Sequence, residues 1–180
     1  MKTLVKYAVL PLLLASTPLL TYADNKSSEK NFSVKLFSLN GSGVSGKAKI
    51  KIKKNETLKI TIKAEGLEIN KPHPQHIHGL TDTSIVATCP DISADVNADG
   101  LISVGEGLPF YGPIVLPLNP FDLVESDGSL RYKASYSINP DSIQPIGKRT
   151  IVLHGMTVNG EYIASLPVAC GQIEIDNDKD

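Results

Sequence analysis

Val44-Ser45-Gly46-Lys47-Ala48-Lys49-Ile50-Lys51-Ile52-Lys53, followed after Asn55-Glu56 by Leu58-Lys59-Ile60-Thr61-Ile62-Lys63-Ala64, decides the fold class. Small or apolar residues alternate with Ser, Thr and Lys, and a period of two sends successive side chains to opposite faces of an extended chain. These are half-buried antiparallel strands whose lysines form the wet side of a sheet. Outward from there, Phe32-Ser33-Val34-Lys35-Leu36 repeats the alternation, and Asn40-Gly41-Ser42-Gly43 turns the chain. Further strands are predicted at 76–79, 113–118, 130–138, 150–154 and 168–175, with a hairpin turn at Asn159-Gly160 joining the last two. About eight strands and no long amphipathic helix give an all-β fold, a Greek-key β-sandwich or flattened barrel.

The chain has 180 residues, 41% hydrophobic and 21% charged, which suits one domain and excludes collagen, coiled coil and a wholly disordered chain. Lys and Arg number 18 against 19 Asp and Glu, so no excess of positive charge exists for a nucleic-acid partner. With no Trp and 6% aromatics, base stacking is not expected either. Lys2 and Lys6, the apolar run from Tyr7 to Leu20, and Thr21-Tyr22-Ala23 read as a secretory signal peptide over 1–23. The run is too short and too broken by Pro11 and Pro18 for a good membrane span, so none is expected after cleavage. Removing Lys2 and Lys6 leaves 16 basic against 19 acidic residues, a net charge of −3, on a periplasmic or secreted protein. Residues 24–31 read as a disordered lead, 32–175 as the β domain and 176–180 as an acidic tail. In an oxidising compartment Cys89 and Cys170 read first as one disulfide, the alternative being two buried free thiols.

One segment, 81–112, breaks the strand rhythm. A loop of about 30 residues inside a compact domain needs something to order it. Cys89 can pin one end, and an ion the middle. Asp95-Val96-Asn97-Ala98-Asp99-Gly100-Leu101-Ile102-Ser103-Val104-Gly105-Glu106 fits the twelve-residue EF-hand loop pattern. Asp95, Asn97 and Asp99 supply oxygens at alternate positions, Leu101 its carbonyl, Ser103 a hydroxyl or bridging water, and Glu106 both carboxylate oxygens. Gly100 allows the sharp turn and Ile102 packs the loop. Pro90, Gly105, Gly107 and Pro109 rule out two long flanking helices, so the pattern resembles an isolated EF-type or dockerin-like calcium loop with an affinity of about 0.1–1 mM. An ordinary Asp-rich surface turn is the alternative.

The four histidines are His73, His76, His78 and His154. On a strand, His76 and His78 share one face while Ile77 points into the core. Two imidazoles at i and i+2 can reach one ion, and His154 from a distant strand can complete a three-nitrogen site suited to copper or zinc. Surface histidines are the competing reading of the pair.

The order H-x-x-H-x-H-G, then Cys89, then Val152-Leu153-His154-Gly155, then Val168-Ala169-Cys170-Gly171, resembles the copper/zinc superoxide dismutases. The resemblance implies His76, His78 and His154 as copper ligands, His73 as a structural histidine and Cys89–Cys170 as the bridge. The segment His76-Ile77-His78-Gly79 with Gly112-Pro113-Ile114-Val115-Leu116-Pro117-Leu118 also looks like the chordin-type CHRD domain. Two departures stand against the dismutase pattern. No His lies between His78 and His154, so zinc is not expected and copper has three histidines. Pro167 stands where the family carries an Arg, leaving Lys148 or Arg149 as sources of positive potential. The main expectation is therefore an exported, calcium-binding and copper-capable sandwich in a surface or metal-handling role, with protein partners unspecified. A copper-only superoxide dismutase-like enzyme is the alternative, and a sandwich with calcium as its one ion a third reading.

Overall fold

The alternating segments form the strands expected of them. The computed structural model describes residues 29–53, 56–121 and 124–176. The expected leader 1–23 lies outside these residues, as do most of the lead 24–31 and of the tail 176–180. The eight strands are β1 (Lys30–Ser38), β2 (Ser45–Ile52), β3 (Thr57–Glu65), β4 (Gln75–His78), β5 (Ile114–Pro117), β6 (Leu130–Ser137), β7 (Thr150–Val158) and β8 (Glu161–Ile175). β1 begins two residues ahead of Phe32, inside the expected lead. β8 begins at the Asn159-Gly160 turn rather than at Val168, because 161–167 pairs with β7 without showing alternation.

The strands run antiparallel in the order β5-β4-β7-β8-β1-β2-β3-β6, one curled sheet with three non-sequential neighbours, β3·β6, β4·β7 and β1·β8, in a Greek-key arrangement. Folded on itself, the sheet makes a sandwich of two halves, β1-β2-β3-β6 and β5-β4-β7-β8. Val34, Leu36, Ala48, Ile50, Leu58, Ile60 and Ile62 from the first half meet Ile77, Ile151, Leu153, Val168 and Ile173 from the second in one buried core. At about 1.5–3 kcal/mol per fully buried large aliphatic side chain, this core drives folding.

The outward faces of the halves differ. Lysines cover the first, as alternation requires. Segment 81–112 roofs the second and creates a smaller core of Leu39, Ala94, Ile102, Tyr111, Val152 and Cys170. Cys89 and Cys170 form the disulfide, Cα atoms 5.7 Å apart, and fix one end of the roof. Asn40 fixes its middle: the side chain accepts from Ile102 N (2.6 Å) and donates to the carbonyls of Ile102 (3.0 Å) and Pro167 (2.9 Å). Roof residues Val104–Tyr111 form the one two-turn helix among the described residues, α1, opened by a reciprocal capping box between Ser103 and Glu106.

Candidate metal centre

The site sits between the β4–β7 sheet face and α1. In β4, Ile77 is fully buried in the main core, so alternation turns His76 and His78 to the roofed face. In β7, the register shifts on both sides of His154, a bulge that re-aims the imidazole toward β4. Gly155 makes the bulge possible. Its φ is +106°, and a Cβ there would lie 2.1 Å from the Tyr162 hydroxyl. One ligand-capable nitrogen from each of His76, His78 and His154 lies within 4.8 Å of the other two, the one such cluster of three His, Cys, Asp or Glu among the described residues.

Hydrogen bonds set the tautomers. His78 Nδ1 donates to the Gly112 carbonyl (2.8 Å) and His154 Nδ1 to the Ser165 carbonyl (2.8 Å), so the Nε2 lone pairs of both rings point elsewhere. His78 Nε2, His154 Nε2 and His76 Nδ1 are buried without a hydrogen-bond partner. Three orphaned imidazole nitrogens facing one another are costly as a polar cluster and well suited to a shared ion with metal–nitrogen bonds of about 2 Å. Carbonyl partners on the second nitrogen are the usual outer shell of a histidine metal ligand.

Burial keeps these rings neutral. It pushes His154 down to about 3, reinforced by the charges of His76 and His78 against the opposing Ser165 hydrogen bond. It pushes His76 down to about 4, with the His78 charge adding to it. His78 is lowered by burial too, opposed by its bond to Gly112. Neutral imidazole is the metal-ligating form.

The trio forms the floor of an open bowl of about 530 Å³ whose rim is apolar: Val104 and Leu108 of α1, Pro113, Ile114, Pro74 and Ala164. Tyr111 packs edge-on against His78, ring centroids 4.8 Å apart, and fills the space above Gly107, where a Cβ would lie 2.3 Å from its ring. Gly112 follows at φ +79°, crossing so near the chain that a Cβ would meet the Gly79 carbonyl at 2.3 Å; this crossing delivers the carbonyl that holds His78.

His73 is buried outside the trio, its Nδ1 3.0 Å from the His154 carbonyl and its Nε2 3.1 Å from the Glu68 carbonyl. It braces the bulge. Arg149 does not supply potential to the bowl: its guanidinium is buried and donates to the carbonyls of Ile143, Leu80 and Gln144. Lys148 is turned away as well, donating to the Ser84 carbonyl. Asn40, Tyr111, Gly112 and Ser165 were not legible as site residues. Three of them act through backbone or shape, and only Asn40, in an Asn-Gly turn, carried any signal.

In the twelve-residue loop the side-chain oxygens turn inward onto the loop's own amides. Asp95 accepts from Asp99 N and Gly100 N, Asn97 from Asp99 N, and Asp99 from Leu101 N. Glu106 accepts from Val96 N, Asn97 N, Ser103 N and the Ser103 hydroxyl, which hold its carboxyl below the usual range. Ile102 is buried in the smaller core as expected of the packing residue. Asp95, Asp99 and Glu106 do not form a compact three-ligand cluster of the kind the histidines make.

Fold and site together define an eight-stranded Greek-key sandwich with a three-histidine candidate metal centre on its roofed half. No family model and no curated protein matches the chain. Among solved structures it is similar to a mutant form of Candida albicans superoxide dismutase 5, at TM-score 0.53 and 17% identity over 84% of this chain and 95% of that one. The copper(II) form of the same Candida protein aligns at TM-score 0.47 and 18% identity over 85% and 96% of the two chains. A double mutant of a superoxide dismutase-like protein from Bacillus subtilis aligns at TM-score 0.43 and 18% identity over 79% and 96%. The chain has a superoxide dismutase-like fold. Among the described residues no helix is long and apolar enough to cross a membrane.

Proposed function

We propose that the chain is an exported copper protein in which His76, His78 and His154 hold one copper ion, and that the loaded protein removes superoxide. The observation that carries the reading is the set of three buried, unpartnered imidazole nitrogens within 4.8 Å of one another. Likeness in fold to a superoxide dismutase supports it. Copper bound there would supply a redox couple, oxidising one superoxide to dioxygen and reducing a second, with two protons, to hydrogen peroxide. The chain's part is to present three neutral donors, two of them, His78 and His154, held by the Gly112 and Ser165 carbonyls, and to leave the bowl open to a small diatomic. Among the described residues no cationic side chain lines the bowl, so electrostatic steering is weak and the rate should fall little with added salt. Copper-loaded protein is tested in a superoxide-decay assay. Activity that disappears in His154→Ala supports the proposal; equal decay by wild type and variant contradicts it.

Calcium at Asp95, Asn97, Asp99, Leu101, Ser103 and Glu106 is a second, separate reading. The specific observation in its favour is the inward set of Asx bonds, which shapes the loop around Gly100 (φ +84°). A melting temperature that rises with added Ca²⁺ in wild type and not in Glu106→Ala supports it; no rise at millimolar Ca²⁺ rejects it. A role at the cell surface of the kind expected for CHRD-like domains has no observation of its own.

A further inference from the structure

Charge in this chain is nearly balanced but sharply segregated. β1, β2, β3 and β6 hold nine of the 18 Lys and Arg and only one of the 19 Asp and Glu, Glu65. The register lines the cations up. Lys35 stands opposite Lys47, Lys47 opposite Lys63, and Lys63 opposite Arg131, one row of four across four neighbouring strands. In the next row Lys49 and Lys133 flank Thr61, and beyond it Lys51 faces Lys59. All eight of these cations are exposed.

Like charges directly opposite one another destabilise an antiparallel pair, whereas alternating signs would be as soluble and more stable. Among the described residues one ion pair forms, Lys51 with Glu29 at 3.2 Å on the margin of the face. Lys35 lies over the Phe37 ring at 5.0 Å. The rest of the face has no carboxylate partner in the described structure. Solubility alone does not account for such an arrangement. An anionic partner does.

Shape narrows the partner. The lysine side chains wall a groove of about 530 Å³ on the outside of the sheet, with Thr61 and Ser135 presenting hydroxyls between Lys47, Lys51, Lys63 and Lys133. The lysine positions recur at about 6.8 Å along a strand and about 4.8 Å between strands, a regular array suited to an extended chain of repeated negative charge. Phe37, at one end, is the only outward-facing aromatic on these four strands and is covered by Lys35. The face therefore offers no platform for stacking bases and no apolar wedge for entering a bilayer. From charge complementarity, groove and hydroxyls together, we infer that this sheet face docks a linear anionic polysaccharide, independently of the copper site on the other half.

The test uses the full chain at pH 7.5 and 150 mM NaCl, with heparin and polygalacturonate as sulfated and carboxylated probes. Phosphatidylserine vesicles and a DNA duplex are the comparison ligands. The double variant Lys47→Glu/Lys63→Glu should lose at least tenfold in affinity for whichever polysaccharide wild type binds. Lys71→Glu/Lys148→Glu, with the same change in net charge, should lose less than twofold. Wild type should bind vesicles and duplex at least tenfold more weakly than the polysaccharide. Circular dichroism checks the fold; if the face variant does not fold, Lys63→Ala replaces it, with at least a threefold loss expected. The proposal is overturned if wild type binds neither polysaccharide even at 50 mM NaCl. Equal losses in both double variants, no loss in Lys63→Ala, or tighter binding to vesicles or DNA overturn it too.

Discussion

The two halves of the sandwich share one core and one alternating pattern, yet use their outward positions in opposite ways. On β1-β2-β3-β6 most outward positions carry a solvated cation or hydroxyl, and no described segment covers them. On β4 and β7 the equivalent positions are His76, His78, Val152 and His154, roofed by 81–112 with its own small core. The open half rests chiefly on the shared core. The roofed half depends on long-range ties: the disulfide, the Asn40 clamp and the glycine crossings. A sheet face becomes a site when a loop dries it enough to leave imidazole nitrogens without water.

Cys89→Ala/Cys170→Ala opens a closure 81 residues apart in sequence and should cost about 4 kcal/mol in the chain-entropy model. It is read as a fall in the urea midpoint together with a weaker copper affinity, because the roof loosens over the trio. Gly112→Ala places a Cβ 2.3 Å from the Gly79 carbonyl and should cost about 2–3 kcal/mol, while Gly147→Ala, with nothing within 4 Å, should change the midpoint little. Equal effects would mean that the crossing near His78 carries no strain.

A pH series separates the halves without mutation. His76 and His154 titrate in the folded protein at about 4 and 3, whereas unfolded histidine titrates near 6.5. Between these values the unfolded chain binds more protons, so metal-free protein should lose stability as pH falls from about 6.5 toward 4, and lose copper over the same window. In His76→Gln/His154→Gln that slope should flatten. The smallest effect belongs to the open half: Lys63→Ala should alter stability by no more than about 0.5 kcal/mol and leave copper binding as it was.

The same contrast explains what could be read from sequence. Alternation around Ala48-Lys49-Ile50-Lys51 was legible because those lysines are exposed, and the Asn159-Gly160 hairpin because its turn chemistry is local. His76, His78 and His154 were legible as a possible trio, since imidazole is rare and i, i+2 spacing on a strand is unambiguous. The Cys89–Cys170 pairing was legible from count and compartment. What was hidden is long-range or carried by backbone. β3 pairs with β6 across a crossover, 161–167 is strand without alternation, and the Gly112 and Ser165 carbonyls that orient two ligands have no side-chain signature. For the roof, the anchor at Cys89 was legible, whereas the tie of its middle to an asparagine in the first turn was not.

Electron paramagnetic resonance of the Cu(II)-loaded chain counts the histidine ligands themselves. Nitrogen superhyperfine structure from three imidazoles is expected at one copper per chain, reduced to two in His154→Ala. A wild-type spectrum that the His154→Ala substitution leaves unchanged, or copper held without histidine nitrogen, would contradict the three-histidine copper site.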